Sequence, residues 1–244
     1  MNAPLPPGEK IVHHIDIHQV SLAPEPGCGR LRAHSGLNSL LIAKWISSCD
    51  YSQSKDDSAA KSEPELSIRL YDVRKECIIE GNTKYRYFTL SYVWGGPQEF
   101  QSTTSNKTTM ERPGGLRMES LPATLKDASF LVSQIGERYI WIDSLCIIQD
   151  DPDFKQIQIS SMNLIYQFSV ATIVAAYGTS VHDGLPGIQP RGWNQHCEKI
   201  QGLLLANRRP ASNPTEWDTR AWTFQEEKLS RRLLTFRMGG VTFQ

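Results

Sequence analysis

The sequence predicts an α/β fold: an open, mainly parallel sheet with helices on both faces, preceded by a small N-terminal flank of one helix and a β-hairpin. Three observations carry this. Strand-like and helix-like segments alternate from residue 85 onward, which favours a parallel sheet built by crossover connections. "VATIVAAY" (170–177) is a continuous run of small and β-branched residues, as a strand covered on both faces requires. "SLPATLKDASFLVSQIG" (120–136) repeats its apolar residues at Leu125, Ala128, Val132 and Ile135, the period of a packed helix.

Each element follows from its local pattern. Residues 1–35 are rich in Pro and Gly and read as a disordered or loosely docked lead-in. "LNSLLIAKWISSC" (37–49) reads as a packed helix, and the polar stretch at 50–65 as a mobile linker. "LSIRLYDV" and "KECIIEG" (66–73 and 75–81) read as a hairpin. Residues 1–84 are therefore assigned to the flank and 85–244 to the main domain. In "YRYFTLSYVWGG" (85–96), Phe88, Leu90, Tyr92 and Trp94 share one strand face, and Gly95-Gly96 ends it. The polar loop at 97–120 is of a length that is usually functional or disordered. Helix 120–136 takes Pro122 in its first turn and Gly136 as its stop. "RYIWID" is a strand, "SLCIIQDDPD" a loop, and 153–168 a single helix with Asp153 as N-cap and Phe154, Ile157, Leu164, Ile165 and Phe168 on one face. After a long Gly/Pro/Asn-rich segment (178–217), "RAWTFQEEKLS" reads as a helix capped by Thr219, and 233–243 as closing strands.

Composition narrows the function classes. Lys plus Arg equals Asp plus Glu at 26 each, so charge provides no case for a nucleic-acid surface. No apolar run approaches the ~18 residues of a membrane span, and the N-terminus lacks a signal-peptide h-region. The five cysteines are scattered, with no CxxC, which argues against a disulfide framework or zinc site. The chain reads as intracellular and cytoplasmic. Asp150, Asp151 and Asp153 match a calcium loop only loosely, without its glycine and terminal glutamate, so no metal site is expected. GxGxxG and Walker A motifs are absent.

The adjacent acids Glu226 and Glu227 pose the sharpest question. On a helical wheel with Trp222 at zero, Glu226 lies roughly 40° away, Leu229 roughly −20° and Leu233 roughly 20°, whereas Glu227 falls about 140° away. Glu227 is therefore the solvated carboxylate. Glu226 shares a stripe with a tryptophan and two leucines, so it must be paired, hydrogen-bonded, neutral, or at the mouth of a pocket. The plain alternative is a boundary residue that reaches water or an arginine.

"YRYFTLSYVWGG", "LPATLKDA", "RYIWIDSLCIIQDDPDFKQIQISSMNLIY", "ATIVAA" and "TRAWTFQEEKLSRRLLTF" resemble, block by block and in order, the fungal heterokaryon incompatibility (HET) domain, across about residues 85–243. "AKWISSC" and "IRLYDV" resemble the flank that often precedes it. That flank often carries a His/Cys pair, which "CDYSQSKD" lacks here. A more distant resemblance is to Toll/interleukin-1 receptor (TIR) domains: "FTLSYVWG" is similar to their first strand, "YIWIDSLCIIQDD" to the second strand and its loop, and "WTFQE" to their spacing of Trp, three residues, Glu.

These resemblances imply a flavodoxin-like sheet with TIR-like strand order, in an innate-immunity-like cell-death effector that self-associates and answers to an upstream recognition or receptor protein. They imply NAD as substrate, with no bound cofactor, and Glu226 as the catalytic residue of a nicotinamide–ribose cleavage. The alternative is a non-enzymatic death-signalling module that binds partners.

The stretches converging on the site supply Ser91, Tyr92, Trp94, Gly95, Asp143, Cys146, Gln149, Asp150 and Trp222 as candidate substrate-binding residues. Competing readings stand beside several of them. Trp94 is core or site wall, Gly95-Gly96 a simple turn, and Asp143 a turn cap. Cys146 reads as a small buried hydrophobe, and Gln149, Asp150 and Asp151 as a loop over the site or a solvated acidic turn. Tyr92 or Trp94 is placed to stack on a base, and Trp222 to pack under Glu226.

Overall fold

The β-strands of the main sheet are assembled from both sides of residue 85. The computed structural model describes residues 16–21, 29–30, 37–53, 65–97, 100–188, 197–201, 203–208, 215–220, 226–237 and 240–244. In chain order the elements are β1 (Asp16–Ser21), β2 (Gly29–Arg30), α1 (Ser39–Gln53), β3 (Ser67–Asp72), β4 (Cys77–Asn82), β5 (Tyr87–Ser91), α2 (Lys107–Met110), α3 (Ala123–Gln134), β6 (Tyr139–Trp141), α4 (Asp143–Cys146), α5 (Pro152–Ser160), α6 (Met162–Phe168), β7 (Thr172–Ala175), β8 (Cys197–Ile200), β9 (Leu203–Arg208), α7 (Glu216–Thr219), β10 (Leu233–Arg237) and β11 (Gly240–Phe243). A further helical turn occupies 226–229.

The central sheet has seven strands in the order β11-β10-β7-β5-β6-β3-β4. Its middle four are parallel, with pairs β10–β7, β7–β5 and β5–β6. The hairpins β10–β11 and β3–β4 close the two edges antiparallel, and β3 joins antiparallel to β6. The sheet is thus mixed, with a parallel centre. β5 and β7 are buried throughout, which is why 170–177 lacks polar alternation. β5 has β6 on one side and β7 on the other, so connections leave it in opposite directions. A crevice opens at the carboxyl ends of strands where this happens, and here those ends carry Ser91, Ile142-Asp143 and Ala176.

The core joins all these layers. α3 buries Leu125, Ala128 and Val132, and Gly136 follows it at φ +86. Trp141 and Tyr166 meet edge to face at 5.8 Å. The Tyr87 and Tyr71 hydroxyls, both buried, donate to the carbonyls of Ile165 (2.7 Å) and Leu116 (3.0 Å), which offsets their desolvation. α1 sets Ile42 and Ile46 into the same core and stacks Trp45 on Phe243 at 5.8 Å.

Several local expectations are corrected. The hairpin at 66–81 forms, but it continues the main sheet rather than standing in a separate flank. The lead-in contributes β1, which pairs antiparallel with β9 in a second sheet of order β2-β1-β9-β8. β8 and β9 fall within the Gly/Pro/Asn-rich 178–217 segment, to which no strand is assigned from the sequence. α1 runs on into the first residues assigned to the linker.

Of the 97–120 stretch, residues 100–120 are folded against the core. Ser102 exchanges backbone bonds with Ser144 and Gln149 (both 2.8 Å), and Leu116 N–H reaches Glu76 O (2.9 Å). The single helix at 153–168 is two, broken at Ser161, and Asp151 rather than Asp153 is the N-cap, accepting from Phe154 N–H at 3.0 Å. Ile157 is exposed. The loop after β6 contains the one-turn α4, and β5 ends at Ser91, before Tyr92 and Trp94. Thr219 caps no following helix. It ends α7, and Arg220 is extended (φ −83, ψ 136).

Candidate functional site

The alternation along β5 decides what meets the last helical turn. Phe88 and Leu90 point to one face, leaving Thr89 and Ser91 on the other. Thr89 Oγ1 and Thr172 Oγ1 lie 2.7 Å apart across the parallel pair, and Thr172 Oγ1 lies 2.5 Å from Ser230 Oγ. Ser230 Oγ donates back to Glu226 O at 2.5 Å. This chain of hydroxyls ties the 226–229 turn to the sheet. Two residues further along the same face of β5, the Ser91 hydroxyl donates to Glu226 Oε2.

Glu226 is partly buried. Burial pushes its carboxyl up from 4.5 to about 7. Hydrogen bonding from Ser91 opposes this, the negative Asp143 adds to it, and Tyr166 and Arg220 oppose it. Asp143, at the start of α4, is likewise raised by burial. Its two oxygens are occupied: Ser144 N–H donates to Oδ1 at 2.7 Å and Trp94 Nε1 to Oδ2 at 2.9 Å. Arg220 NH1 donates to the Tyr92 carbonyl at 2.6 Å. Two acids with raised pKa, one arginine and several hydroxyls therefore converge where β5 and β6 end. Such clustering is characteristic of working sites.

An adjoining cleft of about 500 Å³ is lined by Val93, Trp94, Gly95, Gly96, Thr179, Glu216 and Arg220. Trp94 and Arg220 belong both to this cleft and to the acid cluster; Glu226, Ser91, Tyr92 and Asp143 do not line it. Gly95 is fixed by packing: at φ +77, an added Cβ would sit 2.4 Å from Ser180 Cβ.

The remaining sequence candidates fall into different places. Tyr92 is buried, its hydroxyl donating to Ser144 Oγ at 2.9 Å, so its ring offers no stacking face to a ligand. Cys146, the last residue of α4, is fully buried, its thiol pushed up to about 12 by burial, in keeping with a packing role. Gln149 Nε2 donates to the carbonyls of Asp143 (3.1 Å) and Ile147 (3.2 Å), bracing α4 from below. Asp150 accepts from Thr104 N–H (2.7 Å) and Oγ1 (2.8 Å) at the exposed surface. Trp222 lies outside the described residues. Glu227 is partly buried rather than solvated, and its charge is felt by Arg237.

Four residues of the cluster were not anticipated: Tyr166, Ser144, Arg220 and Trp217. Trp217 is buried and its Nε1 donates to Ser91 Oγ at 2.7 Å. Arg220 was legible only as part of "RAWTFQE", and Trp217 only as an isolated tryptophan in a polar stretch. Among the described residues, no group of three or more His, Cys, Asp or Glu is placed to hold a metal ion, and no helix is long and apolar enough to cross a membrane.

Comparison with known proteins places these features. The family model described as "Heterokaryon incompatibility protein (HET)" matches residues 87–226, from the first residue of β5 to Glu226 itself. Over 143 residues the chain is 32% identical to "Heterokaryon incompatibility protein 6, OR allele" of Neurospora crassa, an alignment covering 52% of this chain and 21% of that protein. The chain thus spans about a fifth of the length of this relative. No solved structure matches it.

Proposed function

This chain belongs to the heterokaryon incompatibility (HET) family, and from that premise we propose that it is a cell-death effector domain that cleaves NAD at the nicotinamide–ribose bond when clustered. The observation that carries this reading is Glu226. It is a carboxylate held on the sheet by Ser91 at the carboxyl end of β5, with a pKa raised to about 7. The order β6-β5-β7-β10 supports the doubly wound, TIR-like reading of the fold, because the first parallel strand is central and its neighbours alternate sides.

In the proposed reaction the C1′–N bond breaks and its electron pair leaves on the nicotinamide ring nitrogen. Water then adds to C1′ and releases a proton. Nicotinamide is a good leaving group, so the protein's main task is to stabilise the oxocarbenium-like centre. Ionised Glu226 does this electrostatically, and a pKa near neutrality keeps a large ionised fraction at working pH. Trp94 and Arg220, which line the cleft and border the acids, provide an aromatic face and a cation for a substrate that carries rings and phosphates.

The reading is tested by incubating the purified chain, tethered on a scaffold, with NAD and measuring free nicotinamide. Release in proportion to enzyme supports it. No release, with cell death retained on expression, favours a binding module that signals by self-association.

A further inference from the structure

The polarity of one hydrogen-bond chain assigns a role to Trp217. An indole N–H is a donor only. Trp217 Nε1 therefore occupies an acceptor site on Ser91 Oγ, at 2.7 Å. A serine hydroxyl has one proton to give, and the acceptor it faces is Glu226 Oε2. The direction runs from Trp217 to Ser91 to Glu226. We propose that Trp217 is a positioning residue for Glu226: its N–H holds the Ser91 hydroxyl so that the proton points at the carboxylate, favouring the charged form.

The surroundings of Trp217 are built to keep the indole in place. It packs with Val93, Val174, Ala176 and Leu233. The next residue, Asp218, accepts from Thr215 N–H at 2.7 Å, closing the first turn of α7. Asp218 is also gripped by both terminal nitrogens of Arg237 on β10, at 2.8 and 2.6 Å. This bidentate pair holds α7 on the sheet. The other groups bearing on Glu226 are Asp143 on α4, Tyr166 on α6 and Arg220. Trp217 adds no charge to this set and acts through Ser91 alone.

The inference concerns the same carboxylate as the proposed reaction, but its readout does not require that NAD be cleaved. The chain is labelled with glutamate carrying 13C at the side-chain carboxyl. The Glu226 resonance is identified by its loss in Glu226→Gln and titrated in wild type, Trp217→Phe, Ser91→Ala and the double variant. The expected result is an upward pKa shift of about half a unit or more in Trp217→Phe, with no further shift when the same change is made on Ser91→Ala, because coupled residues are non-additive. No shift, a downward shift, or an equal shift on both backgrounds overturns the proposal. Should Trp217→Phe fail to fold, benzothienylalanine at position 217 replaces the N–H by sulfur at constant shape and is read in the same way.

Discussion

Ser91 donates its hydroxyl to the Glu226 carboxylate across 135 residues of sequence, joining the end of the first parallel strand to the last helical turn. The bond holds a carboxylate that burial has pushed up to about 7, which has a consequence for stability. A carboxyl with a raised native pKa binds more protons folded than unfolded between about 4.5 and about 7. Its contribution is fully present below about 4.5 and is lost as pH rises through about 7, by on the order of 3 kcal/mol. Glu226→Gln removes that titration. Denaturation midpoints of the two chains across this window should show the variant gaining on wild type as pH rises; parallel curves would show that Glu226 titrates normally. The Asp218 carboxyl, held low chiefly by its hydrogen bonds with Arg237, stabilises in the opposite sense and cancels in the comparison.

Gly95 and Gly136 separate packing from backbone strain. Both have positive φ, +77 and +86. A Cβ at Gly95 would overlap Ser180, whereas at Gly136 it meets nothing within 4 Å. Gly136→Ala should therefore cost about 1 kcal/mol from conformation alone. Gly95→Ala should cost a further 1–3 kcal/mol from overlap. Thermal melts should show at least twice the loss for Gly95→Ala; equal losses would mean that the 179–181 turn moves aside freely.

Clustering is the proposed regulator. With 26 basic and 26 acidic residues, the chain presents no net charge to oppose self-association. Nicotinamide release per molecule should rise steeply with concentration or on tethering. A specific activity independent of concentration in a monomeric sample would contradict this.

The parallel centre of the fold was legible because its signals are local: the apolar period of α3 and the unbroken run of β7 each state their burial within a few residues. Pairing partners are not local. The pattern of 66–81 announces a hairpin, but nothing in it says that β3 will pair with β6. The break between α5 and α6 lay in Ser160-Ser161, where the Ser160 hydroxyl turns back to Gln156 O at 2.7 Å, a competition with the backbone that a hydrophobic period overlooks. At the site, Glu226 is singled out by a helical stripe that the structure corrects in part: the described helical turn ends at 229, Leu233 lies in β10, and Trp222 is outside the described residues, so what marks Glu226 is its burial and the bond from Ser91. Trp217 gave no comparable signal, since its meaning depends on Ser91, 126 residues away.

The central claim is that Glu226, and not its neighbour, performs the chemistry. Glu226→Gln keeps shape and one acceptor oxygen but removes the charge. Losing a carboxylate that stabilises a developing cation should cost on the order of 3 kcal/mol, about a hundredfold in rate. Glu227→Gln loosens only a peripheral interaction with Arg237 and should leave the rate within about twofold. The decisive measurement is nicotinamide release from NAD by tethered wild type, Glu226→Gln and Glu227→Gln, matched for folding by thermal melt. The account predicts about a hundredfold loss in Glu226→Gln alone. Equal rates in the two variants, or full activity in Glu226→Gln, would contradict it.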